Sequence, residues 1–148
     1  MTESIELYND IASLLSGIGV ELVELHLSGT HGGTKASAVV YKPGGTGIDE
    51  CSAAYRLIQA RLEVLLGNDD FQLETASPGV DRVIRSPAEY AIFVGRGVRL
   101  FLDDEDVVEG RIASSDGEAV VVSTAGGDRS VAIASIRKGK LDYSQEGR

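Results

Sequence analysis

A chain of 148 residues with 43% hydrophobic residues is long enough for one ordinary domain or two small ones, and it is too apolar for wholesale disorder. Its net charge of −9 disfavours broad, sequence-independent binding to nucleic acid and suits a basic protein partner better. The single cysteine excludes an internal disulfide and a cysteine-based zinc cluster. No apolar run is long enough for a membrane span, and the acidic start does not resemble a secretory signal, so we expect a cytoplasmic protein.

Residues 1–86 predict an α/β domain with the order helix, strand, strand, helix, strand. Apolar residues recur at helical spacing as far as Gly17. Two alternating stretches, 20–28 and 35–42, then predict a hairpin with a flexible tip at 29–33. One face of the first strand is predicted to carry Val23, Leu25 and Leu27.

The strongest periodic signal lies in the second predicted helix. Hydrophobic residues at intervals of three and four predict about five helical turns, with one face formed by Ile48, Cys51, Tyr55, Ile58, Leu62 and Leu65. Residues 71–75 alternate as the third strand. Because this helix joins two strands, both helices can pack on one face of the sheet.

The C-terminal part of the chain is rich in short β-prone runs. Residues 87–97 form a linker with a short helix, and strands are predicted at 98–102, 107–114, 118–124, 129–135 and 140–143. No long helix is available to cover these strands, which favours a small barrel over residues 98–148. Asp116-Gly117 predicts a hairpin turn, and residues 144–148 are expected to fray.

The segment at the predicted domain junction is a candidate contact site, formed by Ser77, Pro78, Gly79, Asp81 and Arg82. Pro78 and Gly79 suit the two corners of a type II turn, in which glycine takes a positive φ. Arg82 offers five N–H donors that could clamp a carboxylate, a carbonyl or a phosphate. The alternative is that Asp81 and Arg82 only brace the two domains.

Two charged clusters in the predicted barrel are further candidate contacts. The acidic cluster contains Asp103, Asp104 and Asp106, and the basic cluster contains Arg137, Lys138 and Lys140. The acidic cluster lacks the spacing and glycine of a calcium loop, so a solvated loop is favoured over a metal site. The basic cluster is either an ordinary solvated turn or a local contact with RNA.

No motif predicts a catalytic residue, a cofactor, a metal ion or a small-molecule substrate. Cys51 lies on the apolar stripe of a helix, which is typical of an inert thiol. His26 and His31 have no serine and acid around them in a recognisable local signature. A hydrolase that uses Cys51 or Ser77 stays open as an alternative, which a thiol-reactive probe would test for Cys51.

Residues 73–82, with the sequence Leu-Glu-Thr-Ala-Ser-Pro-Gly-Val-Asp-Arg, resemble the signature of the RimP family. The glycine turn and cysteine at 44–51 and the glycine-bracketed strand start at 95–100 are also similar to that family. Gly47 departs from it, because a hydroxyl residue often caps the long helix.

This resemblance implies an α+β protein with an N-terminal α/β sandwich and a C-terminal SH3-like or Sm-like barrel. It also implies a non-enzymatic factor that binds the immature small (30S) ribosomal subunit and assists its maturation. Together with the negative charge, it suggests a basic ribosomal protein as partner, with local contact to ribosomal RNA. The alternative is an Sm-like RNA-binding module outside the ribosome, which the acidic balance and the scarcity of aromatic residues in the barrel disfavour.

Overall fold

The computed structural model describes residues 2–30, 33–44, 47–67, 70–79 and 81–146. By its contacts the chain divides into two compact units, Met1–Pro78 and Gly79–Arg148, called here the first and the second unit. Each unit has its own sheet, so the α+β class is confirmed. Residues 79–86 group with the second unit, although the sequence favours a boundary after residue 86.

The first unit has the predicted order of elements. They are α1 (Thr2–Ser16), β1 (Glu21–Thr30), β2 (Gly33–Tyr41), α2 (Ile48–Leu66) and β3 (Phe71–Ala76). The central strand β2 is antiparallel to β1 and parallel to β3. A parallel pair needs a crossover connection, and α2 supplies it.

Both helices and the sheet of the first unit share one core, as the sequence predicts. The core consists of Ile11, Leu15, Val20, Leu22, Ala36, Ala38, Val40, Ala54, Ile58 and Leu62. The alternating residues Ala36, Ala38 and Val40 place the buried face of β2 against the helices.

Strand β1 differs from its prediction in two ways. A bulge between Leu22 and Glu24 inserts Val23 as the extra residue, so Leu22 shares a face with Leu25, which simple alternation does not predict. Leu27 lies on the predicted face with Leu25, opposite Ala36 of β2, although it is 37% exposed. The β1–β2 ladder also continues to the pair Thr30–Gly33, so most of the predicted tip belongs to the strands. The other two residues of the tip, 31 and 32, lie outside the described part of the chain.

The second unit contains one short helix and five strands. They are α3 (Ala88–Ile92), β4 (Gly97–Leu102), β5 (Val107–Ser115), β6 (Ala119–Thr124), β7 (Gly127–Ala132) and β8 (Ile136–Leu141). The sheet is antiparallel, with the order β7-β6-β5-β4-β8. Within the described ranges no ladder joins β7 to β8, so the finding is a five-stranded sheet rather than a closed barrel.

The last strand begins earlier than the sequence predicts. A short 3-10 helix, Ile133–Ser135, ends the preceding strand, and β8 then covers Ile136–Leu141 instead of 140–143. The basic cluster therefore lies in a strand and not in a turn. The Asp116 turn is confirmed, because its carboxylate accepts from the N–H groups of Glu118 and Ala119 at 2.9 and 2.8 Å.

The C-terminal segment is folded within the second unit, so the expectation that it frays is wrong for residues 144–146, whereas residues 147 and 148 lie outside the described part of the chain. Tyr143–Gln145 forms a 3-10 helix. The Glu146 carboxylate accepts from Arg96 Nε at 2.9 Å and from Gly97 N at 3.0 Å. Gly97 has to be glycine, because a Cβ there would lie 2.2 Å from the carbonyl oxygen of Asp142.

None of the helices in the described part of the chain combines the length and the apolar character that a membrane span requires.

Candidate functional site

The Ser-Pro-Gly segment does not form the predicted type II turn. Gly79 does not take a positive φ. Instead, Arg82 N donates to the carbonyl oxygen of Gly79 at 3.3 Å, so the chain reverses after Gly79. Ser77, Gly79 and Asp81 are exposed, whereas Pro78 is half-buried. The exposed part of the candidate site therefore consists of small polar groups and one carboxylate.

Arg82 points into the second unit rather than toward solvent. Its side chain is 9% exposed, and its Nε lies 2.8 Å from Oε1 of Glu89, whose side chain is 2% exposed. The other oxygen of Glu89 accepts from the backbone N of Arg85 at 3.1 Å and from Ser86 Oγ at 3.4 Å. A carboxylate can be buried when it is paired and hydrogen-bonded in this way. Arg82 is therefore held in a buried ion pair within the second unit.

The residues that follow Asp81 cover one edge of the second sheet. Leu141 N donates to the carbonyl oxygen of Arg82 at 2.9 Å, and Ile84 N donates to that of Gly139 at 2.8 Å. Val83 forms an isolated antiparallel bridge with Lys140. The C-terminal half of β8 is therefore paired on both sides, by β4 and by residues 82–84, and this part of its edge is not left open.

The acidic and the basic cluster lie next to each other in the second unit. The acidic loop 103–106 joins β4 to β5, and Asp103 N donates to the carbonyl oxygen of Ser135 at 2.9 Å, just before β8. A bulge in the β4–β8 ladder leaves both Arg137 and Lys138 exposed. Lys140, further along β8, is half-buried.

The three acidic residues are not equivalent. Asp106 is bound by Arg129, whose Nη2 lies 2.9 Å from Oδ2. The hydrogen bond from Arg129, followed by that from the Val107 backbone, holds the pKa of Asp106 below its usual value. Asp103 and Asp104 are exposed, and with Arg129 they line a cleft of about 300 Å³. This surface can form ion pairs with a basic chain, and the adjacent cations can contact phosphate.

A larger cleft of about 610 Å³ lies in the first unit, between one face of α2 and the end of β3. Its lining residues are Gly47, Ile48, Cys51, Ser52, Tyr55, Arg56, Thr75 and Ser77. Thr75 Oγ1 donates to the carbonyl oxygen of Cys51 at 3.1 Å, which ties the strand to the helix.

Ile48 is the residue of this cleft that sequence reasoning assigns wrongly. Its spacing places it on the buried stripe of α2, but its side chain is 84% exposed. Leu65, at the other end of the stripe, is 44% exposed. The position of Ile48 in the helix is the signal that could have predicted its exposure. Ile48 directly follows the cap residue Gly47, and a residue in the first turn of a helix can lie beyond the edge of the sheet that the helix covers.

Of the groups considered for catalysis, Cys51 and His26 lie among the described residues, and neither is activated there. Burial, with a smaller effect of Glu50, raises the pKa of the Cys51 thiol, which works against a thiolate nucleophile. His26 Nε2 contacts Glu24, and the histidine is exposed. His31 lies outside the described residues. Among the residues that the structure describes, no three His, Cys, Asp or Glu side chains are grouped closely enough to hold a metal ion.

Comparison with known proteins extends over both units. The family model of the RimP N-terminal domain matches residues 10–81. Ribosome maturation factor RimP from Borrelia hermsii is 29% identical over 95% of this chain and 97% of its own length. The protein of the same name from Borrelia garinii subsp. bavariensis is 32% identical over 92% of this chain and 93% of its own length. That from Acidothermus cellulolyticus is 29% identical over 92% of this chain and 91% of its own length.

Proposed function

The chain belongs to the RimP family of ribosome maturation factors, and from this premise we propose that it binds the immature small (30S) ribosomal subunit in the cytoplasm. The observation that carries the proposal is similarity along both units to proteins of that name. A match confined to one unit would support only a shared domain.

The proposed mode of action is binding without catalysis. A factor of this kind stabilises an assembly-competent conformation of the subunit, because it binds that conformation more tightly than the mature one, and it then dissociates. This requires complementary surfaces on a rigid scaffold. The raised pKa of the Cys51 thiol works against a reactive centre, and the buried ion pair of Arg82 is compatible with a rigid scaffold.

The second unit is proposed to curl into a small SH3-like or Sm-like barrel. Its sheet buries one face, with Val98, Leu100, Ile112, Val122 and Leu141 almost inaccessible. The only α-helix described in this unit, Ala88–Ile92, is too short to cover that face. A sheet that lacks a covering layer can bury its apolar face by folding over on itself.

Two partners are proposed for the charged surface of the second unit. Exposed Asp103 and Asp104 would meet a basic ribosomal protein, and exposed Arg137 and Lys138 would touch ribosomal RNA locally. Lys140 is half-buried and would contribute less to the RNA contact. Because the chain carries −9 overall, a broad RNA contact is disfavoured, while a short one beside a protein contact is compatible with the charge.

The test is sedimentation of an epitope-tagged chain from a cell lysate through a sucrose gradient, with and without ribonuclease. We expect the chain in the free small-subunit and precursor fractions and not in those of assembled ribosomes. If it sediments only with small non-ribosomal RNA, and ribonuclease returns it to the top of the gradient, the RNA-binding alternative is correct.

A further inference from the structure

The outer edge of β3 is open in the part of the chain that the structure describes. Strand β3 pairs with β2 on one side, and none of the backbone hydrogen bonds from other segments reaches Phe71–Ala76 on the other. An open strand edge carries unpaired N–H and C=O groups that can accept a strand from another chain. The other outer strand, β1, is interrupted by the bulge after Leu22, which makes it a poorer template.

The cleft of the first unit lies beside this open edge. Its helical wall consists of residues that recur every three or four positions along α2, from Ile48 to Arg56, and its strand wall contains Thr75 and Ser77. An open sheet edge with a cleft beside it can bind an extended peptide by strand addition, because the edge supplies backbone hydrogen bonds and the cleft takes alternate side chains. Ile48 offers an apolar surface at one end, because it is 84% exposed.

We propose that the edge of β3 and the cleft beside it bind an extended, basic segment of a partner protein as a fourth strand of the sheet. Successive side chains of a strand point to opposite faces. Alternate residues of the bound segment would therefore enter the cleft, and those would be apolar. The residues between them would lie on the other face of the sheet, next to Glu74.

Charge favours a basic protein segment over RNA as the occupant. Met1–Pro78 contains four Lys and Arg against eleven Asp and Glu, which gives −7 of the total of −9. Glu74 is exposed and points away from the face that carries Thr75. A lysine or arginine opposite Glu74 on an added strand would form a favourable cross-strand pair, whereas a phosphate backbone would be repelled. The proposal goes beyond the proposed function, because it concerns the first unit and needs no ribosome.

The test uses the full chain labelled with ¹⁵N and a capped seven-residue peptide in which valine and lysine alternate. A peptide of the same composition with its valines clustered is the matched control, and an RNA oligonucleotide of similar length is added in a separate titration. We expect the alternating peptide to shift the amide signals of Phe71–Ala76 and of the first half of α2. Equal binding of the clustered peptide, tighter binding of the RNA, or signals shifted at β1 instead would overturn the proposal.

Two pairs of variants sharpen the result. Ile48→Ser should weaken peptide binding about tenfold, equivalent to about 1.4 kcal/mol, whereas Val64→Ser, which alters a side chain 72% exposed elsewhere on α2, should not change it. Glu74→Gln should weaken binding of the lysine peptide, whereas Glu63→Gln should have little effect. If the members of each pair behave alike, neither the cleft nor Glu74 is the site.

Methylation of the peptide's backbone nitrogens tests strand addition itself. Only alternate N–H groups of an added strand face its neighbour, so methylation should weaken binding at every second position. If methylation weakens binding equally at every position, the peptide does not bind as an added strand. Failure of these experiments would leave sedimentation with the small subunit unaffected, so the two proposals can fail separately.

Discussion

Arg82 and Glu89 form an ion pair inside the second unit, with Nε 2.8 Å from Oε1 and side chains that are 9% and 2% exposed. Arg82→Ala would leave a buried carboxylate without its cation, so we expect the free energy of unfolding to fall by about 3–5 kcal/mol. Urea denaturation measures this change. The matched control is Arg61→Ala, whose pair with Asp10 is 42% and 33% exposed and should contribute less than about 1 kcal/mol.

A double variant separates bracing from direct contact with the subunit. Replacing Arg82 and Glu89 together by methionine removes both charges and keeps apolar volume, so we expect much of the stability to return, except for the part lost with the hydrogen bonds from Arg85 N and Ser86 Oγ. We expect association with the small subunit to return with it, as measured by sedimentation. If stability recovers and association does not, Arg82 contacts the subunit directly, and its N–H donors bind a group of the partner.

The acidic loop should contribute to binding of a basic ribosomal protein. Exposed ion pairs contribute up to about 1 kcal/mol each, so Asp103→Asn with Asp104→Asn should weaken that binding by up to about thirtyfold. Binding to protein-free ribosomal RNA should rise slightly, because repulsion of phosphates falls. Purified small-subunit proteins and RNA are compared at one ionic strength. The control variant, Glu63→Gln with Glu118→Gln, removes the same charge elsewhere and should change neither the binding to the ribosomal protein nor the binding to RNA.

The basic strand should control the salt dependence of RNA binding. Each lost phosphate contact reduces the magnitude of the negative slope of log K against log salt by about one, so Arg137→Gln with Lys138→Gln should reduce that magnitude by about two. Titrations at several salt concentrations measure the slope. Lys35→Gln, in the first unit, should leave it unchanged. An unaltered slope in the double variant would remove β8 from the RNA contact.

Tyr90 should make stability fall at high pH. It is 3% exposed, and burial, with Glu89 nearby, raises its pKa from 10.0 to about 12. Below pH 10 the phenol is protonated in both the folded and the unfolded chain, so its contribution to the free energy of unfolding is fully present. Between the two pKa values the unfolded chain loses the proton first, so stability decreases by about 1.4 kcal/mol per pH unit. Unfolding at pH 8 and pH 11 should show this loss in the parent chain and less of it in Tyr90→Phe. Tyr143→Phe, at a residue 66% exposed, is the control.

Fragments test the organisation of the chain. We expect residues 1–86 to fold alone with a cooperative thermal transition, and residues 1–78 to melt at nearly the same temperature, because residues 82–84 pair with β8. For the same reason residues 79–148 should be clearly more stable than residues 87–148, which lack the partner of Glu89. A gradual melt of residues 1–86, or equal stability of the two C-terminal fragments, would contradict this organisation.

The sequence predicts the first unit well because its core depends on periodicity. Ile58 and Leu62 are buried where the spacing places them. The bulge at Val23 cannot be predicted, because an inserted residue changes the register of a strand without changing its composition. The exposure of Ile48 depends on how far the sheet extends beneath the helix; the spacing of apolar residues does not contain this, and only the position of Ile48 next to the cap residue suggests it.

The candidate site is less predictable than the fold. The sequence identifies Arg82 as a strong donor but does not show which acceptor it meets. Glu89 lies four residues before Phe93, which is 0% exposed, and this helical spacing is the signal that could have placed its carboxylate in the core. The proximity of the two charged clusters depends on the pairing of β4 with β8, whose partners are distant in the chain.

The pairing of Leu141 with Arg82, and of Gly139 with Ile84, affects how the protein folds during its own synthesis. Strand β8 leaves the translating ribosome after β4, β5, β6 and β7, so the second unit cannot be completed until then, whereas the first unit can fold earlier. Until β8 arrives, one edge of β4 has no partner. A pause in translation between β7 and β8 would therefore expose that edge to nascent chains on neighbouring ribosomes, with which it could pair and aggregate.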